Sequence, residues 1–202
     1  MNTLEKFFSE NKDEVAFYDG YANYLSHLVK SLDKKAVRNV AECFLKAREE
    51  NRTIYFVGNG GSATTAMHFA QDVGEIGRKI GGKGFRTKSI VDNVSALTAI
   101  GNDYDYSQVF SLQIQYCFDP GDVLVLISAS GNSPNVIKAA QLAKEKGGVT
   151  VALVGFCGGQ LAKMCDHVVH VESIKGEYGP VEDVHLVLNH MITSYLMLSL
   201  KA

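Results

Sequence analysis

The spacing of apolar residues changes character along this chain. Residues 7–32, FFSENKDEVAFYDGYANYLSHLVKSL, carry them at mixed intervals of three and four. Residues 33–50 do so more cleanly. Ala36, Val37, Val40, Ala41, Phe44, Leu45 and Ala47 form one helical stripe behind Asp33, a suitable cap. The first 50 residues therefore predict two helices. Beyond them the pattern switches to short continuous apolar runs: TIYFVG (53–58), TKSIV (87–91), DVLVLIS (122–128), VTVALVG (149–155) and HVVHV (167–171). Each reads as a buried strand. Helical patterns lie between them at 62–73, 94–101, 106–118, 134–147 and 160–165, and a nearly all-round apolar helix follows at 181–200.

Unbroken apolar strands alternating with helices predict a parallel sheet covered on both faces. The expected fold is α/β, a doubly wound, five-stranded, mostly parallel sheet with helices before it. No repeat or linker divides the chain, so residues 1–202 read as one domain: helices over 1–50, then core and C-terminal helix over 51–202. GRKIGGKGFR (77–86), with Arg78, Lys79, Lys83 and Arg86, reads either as a mobile loop that closes over a ligand or as a solvated turn. The apolar last helix belongs in the core or against another subunit, which predicts a homo-oligomer.

Charge and cysteine content narrow the function classes. A formal net charge of −2 over 202 residues does not favour nucleic-acid binding. No window approaches 18 uninterrupted apolar residues, and the start, MNTLEKFFSENKDEV, lacks the features of a signal peptide, so a cytoplasmic protein without membrane contact is expected. Cys43, Cys117, Cys157 and Cys165 include no C-x-x-C pair, which argues against a zinc ribbon or a thioredoxin-like motif.

Two strand ends are chemically loaded. VGNGGSA (57–63) satisfies G-x-G-x-x-A as Gly58, Gly60 and Ala63. A dinucleotide site also wants an acidic residue about 20 positions on. Here the next strand ends at Asp92, 34 residues past Gly58, and Glu75 ends a helix. ISASGNSPN (127–135) follows the third strand. Ser133 before Pro134 suits a helix N-cap. That does not explain Ser128, Ser130 and Asn132. Hydroxyls gathered at the free amides of a helix N-terminus make a cradle for a phosphate monoester. No G-x-x-x-x-G-K-[ST] is present, so an NTPase loop is excluded.

Four further residues suggest a reaction centre. His68 and Asp72 are spaced i, i+4 and share a helix face. Glu182 and His190 lie eight apart on the last helix, about 80° around its axis, and could converge on one pocket. Two histidines and two carboxylates suit either a divalent metal or acid/base chemistry. Glu182 and Asp183 also suit a first helical turn on dipole grounds alone. His185 could stand in for His190, whereas His167 and His170 read as strand residues.

GNGGSA after one strand and S-x-SGNS-x-N after a later one together resemble the sugar isomerase (SIS) domain family. SALTAIGNDYDYSQVF (95–110) and VGFCGGQLAKMCD (154–166) extend the likeness, and EDVHLVLNH (182–190) is similar to the closing helix of the sedoheptulose 7-phosphate isomerases. The resemblance implies an aldose–ketose isomerase that supplies heptose for bacterial surface polysaccharides and works as a homotetramer. A non-catalytic relative that binds the replication initiator implies an alternative, a phosphosugar-binding or adaptor protein. By the resemblance, Ser62, Ser128, Ser130 and Ser133 hold the substrate's phosphate. Asn59, Gly60 and Asp103 contact the sugar or shape its pocket. His68, Asp72, Glu182 and His190 form the reaction centre, which binds zinc in some members. Asp72 or Glu182 would be the base, with His190 its acid/base partner. The family usually has glutamate at position 72, glutamine at 182 and often threonine at 129, where this chain has Asp72, Glu182 and Ala129.

Overall fold

The computed structural model describes residues 2–10 and 12–201. Three helices, not two, precede the sheet: α1 (Thr3–Glu10), α2 (Glu14–Ser31) and α3 (Lys34–Glu49). Asn11, inside the first predicted helix, lies outside the described residues. Asp13 starts a new helix because its carboxylate accepts from the Ala16 amide, capping α2. Asp33 caps α3 in the same way through the Lys35 amide, as predicted.

Five strands follow: β1 (Thr53–Gly58), β2 (Arg86–Ser89), β3 (Val123–Ser128), β4 (Val149–Val154) and β5 (His167–His170). All pair in parallel, in the order β2-β1-β3-β4-β5. Helix α4 (Gly61–Gly74) and the short α5 (Ile76–Ile80) connect β1 to β2. Helix α6 (Val94–Asp103), a 3-10 turn (Tyr106–Gln108) and α7 (Ser111–Ile114) lead to β3. Helix α8 (Pro134–Glu145) joins β3 to β4, and α9 (Leu161–Met164) joins β4 to β5. The final helix is α10 (Tyr178–Ser199). Every residue of β3, and all but the first of β1 and β4, is buried, which accounts for their unbroken apolar sequence.

Phe44 on α3, Phe56 on β1 and Phe69 on α4 form one ring cluster, with centroids 5.1–6.1 Å apart. Burying each ring contributes about 2–3 kcal/mol. Together they clamp α4 onto β1 and fix where its N-terminus points. Helix α10 packs against α4 and also meets α2 and α3. Among the described residues, no helix is long and apolar enough to cross a membrane.

The basic segment 77–86 does not close over a ligand at the strand ends. Ile76–Ile80 are helical and Arg86 opens β2. Arg48 Nε donates to the Lys83 carbonyl at 3.0 Å and Lys83 Nζ donates to the Glu49 carbonyl at 3.0 Å. These bonds hold the segment at the end of the sheet where strands begin, opposite the loaded turns. The four cysteines are unpaired, and burial pushes the Cys43 and Cys165 thiols up to about 11.

Candidate active site

The strand order reverses between β1 and β3. From β1 the chain moves outward to β2, and from β3 it moves the other way, to β4 and β5. At such a switch point the crossovers diverge to opposite faces and leave a crevice beyond the strand ends. Both loaded turns open into this crevice. A cavity of about 120 Å³ is lined there by Asn59, Ser62, Ser128, Ser130, Ser133 and Glu182, with Ile127, Ala129 and Tyr178 completing the wall.

The hydroxyls are arranged to donate. Ser128 Oγ accepts from the Gly131 amide and Ser130 Oγ from the Asn132 amide, both at 3.2 Å. Each oxygen is thereby oriented while its proton stays free. Ser133 occupies the N-cap position of α8 but makes no capping bond, so its hydroxyl also remains with the cavity. The N-termini of α4 and α8 present the positive ends of their helix dipoles here, although Pro134 gives α8 no amide at its first position and the Ser62 and Ala63 amides bind the Asn59 and Gly60 carbonyls. Gly131 has φ +62°, and a Cβ there would strike the Gly158 carbonyl. That close approach lets Leu161 and Gln160 amides bind Gly131 O and Asn132 Oδ1, propping the serine loop from behind.

Two asparagines tie the turns together. Asn59 Nδ2 donates to Asn135 Oδ1 at 2.9 Å, and Asn135 Nδ2 returns a bond to Asn59 Oδ1 at 2.8 Å. Tyr106 Oη adds a bond to Asn59 Oδ1 at 3.2 Å. Across the cavity, the Glu182 carboxylate lies directly over Gly61, where any Cβ would collide with it. Burial pushes the Glu182 carboxyl above its ordinary value, and Asp183 beside it adds to the rise.

Gly61, His68 and Asp72 share one face of α4, since steps of seven and eleven residues return within about 20°. That face meets α10. His68 Nε2 lies 3.2 Å and His190 Nε2 3.8 Å from Asp72 Oδ2. The two imidazoles stand edge to face with centroids 5.0 Å apart. Asn189 Nδ2 donates to the same Oδ2 at 2.9 Å, so among the described residues these three side chains all meet one oxygen of Asp72. One ligand atom each from His68, Asp72 and His190 lies within 4.8 Å of the others, a set able to hold a metal ion.

Glu182 does not join that trio. The eight residues to His190 rise about 12 Å, more than the shared direction on the helix can compensate. Glu182 belongs instead to the cavity wall, between the serines and the histidines. Asp103 ends α6, exposed, and accepts from Asn102 Nδ2 rather than lining the cavity. Gly60 is the exposed N-cap of α4 with φ +55°, the conformation that turns the chain from β1 into the helix. His185 cannot replace His190. It is fully buried, and burial pushes it down to about 4. His170 binds the Phe156 carbonyl at 2.9 Å. The sequence alone does not mark Asn135, Tyr178 or Asn189 as site residues. Asn135 lay inside the quoted serine stretch, and Asn189 is a polar residue beside His190 on an otherwise apolar face. Tyr178 carried no local signal.

The SIS domain family model matches residues 16–155. A phosphoheptose isomerase of Aneurinibacillus thermoaerophilus is 38% identical over 160 residues, 78% of each chain. One of Maridesulfovibrio salexigens is 42% identical over 139 residues, which span 68% of this chain and 66% of the relative. The solved structure of the Neisseria gonorrhoeae phosphoheptose isomerase superposes with a TM-score of 0.81 at 32% identity, covering 92% of this chain and 97% of that one.

Proposed function

The chain belongs to the SIS domain family, and we propose on that premise that it is a phosphoheptose isomerase, converting sedoheptulose 7-phosphate to the aldoheptose 7-phosphate used for heptose-containing surface polysaccharides. The named relatives support the reaction class. The observation that carries the substrate is a span. From Gly61 at the cradle to His68 is seven residues on one helix face, about 10 Å. An extended chain advances about 1.2 Å per bond, so the seven bonds from the phosphorus to C2 of a heptulose 7-phosphate cover roughly 8 Å. A phosphate held by the serines therefore brings the carbonyl end to His68, Asp72 and His190.

In this mechanism Ser62, Ser128, Ser130 and Ser133 donate to the phosphate oxygens, and the positive dipole ends of α4 and α8 face its charge. Glu182, beside the anion on the way to the histidines, accepts from a hydroxyl of the sugar chain and sets its direction. Asp72 uses Oδ1 to take a proton from C1, while the Asn189 amide donates to Oδ2 and His68 lies 3.2 Å from it. The electron pair moves into an enediolate, and His190 protonates O2. The proton on O1 leaves through the same imidazole, and Asp72 returns its proton to C2. His68, Asp72 and His190 would hold zinc, whose preference for nitrogen and carboxylate donors the trio meets. With an ion bound, His190 would be a ligand rather than a proton donor, and the ion would take over by stabilising negative charge on the substrate oxygens.

The protein acts in the cytoplasm as a homotetramer in this reading. Support for assembly comes from α10, where Met191, Ile192 and Tyr195 face Val37 and Ala41 of α3 across an apolar groove of about 290 Å³. Light scattering tests it. The reaction is tested by incubating the protein with sedoheptulose 7-phosphate, with and without zinc, and following the aldose by NMR. Folded protein that produces no aldose under either condition would falsify the proposal.

A further inference from the structure

Glu177 is a buried carboxylate with no part in the mechanism above. It is 1% exposed and occupies the N-cap position of α10, yet its side chain makes no capping bond to its own helix. One oxygen accepts from the Thr3 amide of α1 and the other from the Tyr24 hydroxyl of α2, each at 2.5 Å. One turn earlier on α2, the Tyr21 hydroxyl donates to Asp183 Oδ2. The N-terminal helices thus grip residues 177 and 183, on either side of the stretch that holds Tyr178 and Glu182. Those two residues form one wall of the cavity.

The opposite side of Tyr178 is also fixed. Its ring stands edge-on against Phe156, with centroids 5.0 Å apart at 87°. Phe156 is held in the left-handed region at φ +51°, with its amide bound to Ser173 Oγ and its carbonyl to His170 Nε2. Tyr178 therefore has a rigid neighbour at its face and a tethered backbone at its root. A buried carboxylate is costly unless hydrogen-bonded, and here two donors from outside the sheet compensate it.

We propose that Glu177 is a positioning residue for anion binding: through Tyr24 and Thr3 it fixes the first turn of α10, so that Tyr178 walls the cavity beside a bound phosphate group and Glu182 is held toward the sugar chain. The N-terminal helices then belong to the binding device, although they cross over to no strand. The inference rests on reading the cavity as a phosphate site, not on the isomerisation.

The test compares wild type, Tyr24→Phe, Glu177→Gln and Tyr55→Phe. Tyr55 is the control: a buried tyrosine whose hydroxyl donates to the Cys117 carbonyl at 2.6 Å, away from the cavity. The readouts are the Kd for inorganic phosphate, KM and kcat for sedoheptulose 7-phosphate, and Tm. Tyr24→Phe is expected to raise Kd and KM roughly three- to tenfold with kcat little changed, since only part of a lost charge-assisted bond reaches the ligand. Glu177→Gln retains one acceptor oxygen and falls between it and wild type. Tyr55→Phe lowers Tm comparably and leaves Kd and KM alone. Wild-type Kd and KM in both Tyr24→Phe and Glu177→Gln would overturn the proposal, as would an equal rise in Tyr55→Phe. If wild type binds phosphate with this ranking but turns over no sedoheptulose 7-phosphate, the isomerase reading falls and the positioning role stands. A wild type that does not bind phosphate removes both.

Discussion

Asn59 and Asn135, 76 residues apart in the chain, exchange two amide hydrogen bonds between the turn after β1 and the start of α8. Neither turn can shift alone without breaking this pair. Asn135→Ala leaves Asn59 facing a buried void and removes one of the two acceptors of the Val136 amide, which keeps the Ser133 carbonyl. A loss of about 2–3 kcal/mol in urea unfolding is expected, together with a higher KM. An unchanged KM at that cost in stability would show that the bridge serves the fold alone.

Ser133 separates two roles that usually coincide. A serine at an N-cap normally gives up about 1 kcal/mol when truncated to alanine. Its hydroxyl makes no capping bond here, so Ser133→Ala is expected to lose well under that. The same change should weaken inorganic phosphate binding about tenfold, as one donor to a charged group is lost. Calorimetric titration and thermal unfolding of the one variant distinguish the two. A full capping loss with intact phosphate affinity would return Ser133 to a purely helical role.

In the proposed mechanism, chemistry and anchoring use different points on α4 and should fail separately. Asp72→Asn and His190→Ala are each expected to lower kcat about 100- to 10,000-fold, the range for a lost general acid or base. Phosphate affinity should stay near wild type in both. Equilibrium dialysis against zinc should find one ion per chain in wild type and none in His68→Ala. Weakened phosphate binding in all three variants would mean that the two regions are one site.

His185 gives a signature in pH. Its folded value is pushed down to about 4 from 6.5 by complete burial. The unfolded chain therefore takes up this proton first as pH falls. The stability it contributes is fully present above about 6.5 and drains away toward about 4, in total about 3 kcal/mol. His185→Leu removes this dependence while filling similar volume. Urea unfolding of both proteins at pH 7.5 and 5 measures it, and parallel losses in the two would refute the assignment.

The legible parts of this protein were those with a local cause. Period changes marked every strand, and the run of apolar residues in β1, β3 and β4 announced burial on both faces. The two turns announced themselves by composition, and i, i+4 spacing paired His68 with Asp72. What distance in the chain controls was harder to read. Angular position on a helix suggested that Glu182 and His190 converge, but axial rise parts them. Asn189 reaches Asp72 across 117 residues and Asn135 reaches Asn59 across 76. The basic loop at 77–86 carried no mark of which end of the sheet it would occupy, because that is decided by its bonds to Arg48 and Glu49.

The dependence of the crevice on α10 has a consequence for biosynthesis. Tyr178, Glu182 and His190 all come from residues 178–199, while their counterparts on β1 and α4 leave the ribosome more than a hundred residues earlier. A nascent chain can assemble the sheet with its anion turns already paired, yet it stays chemically inert until that helix docks.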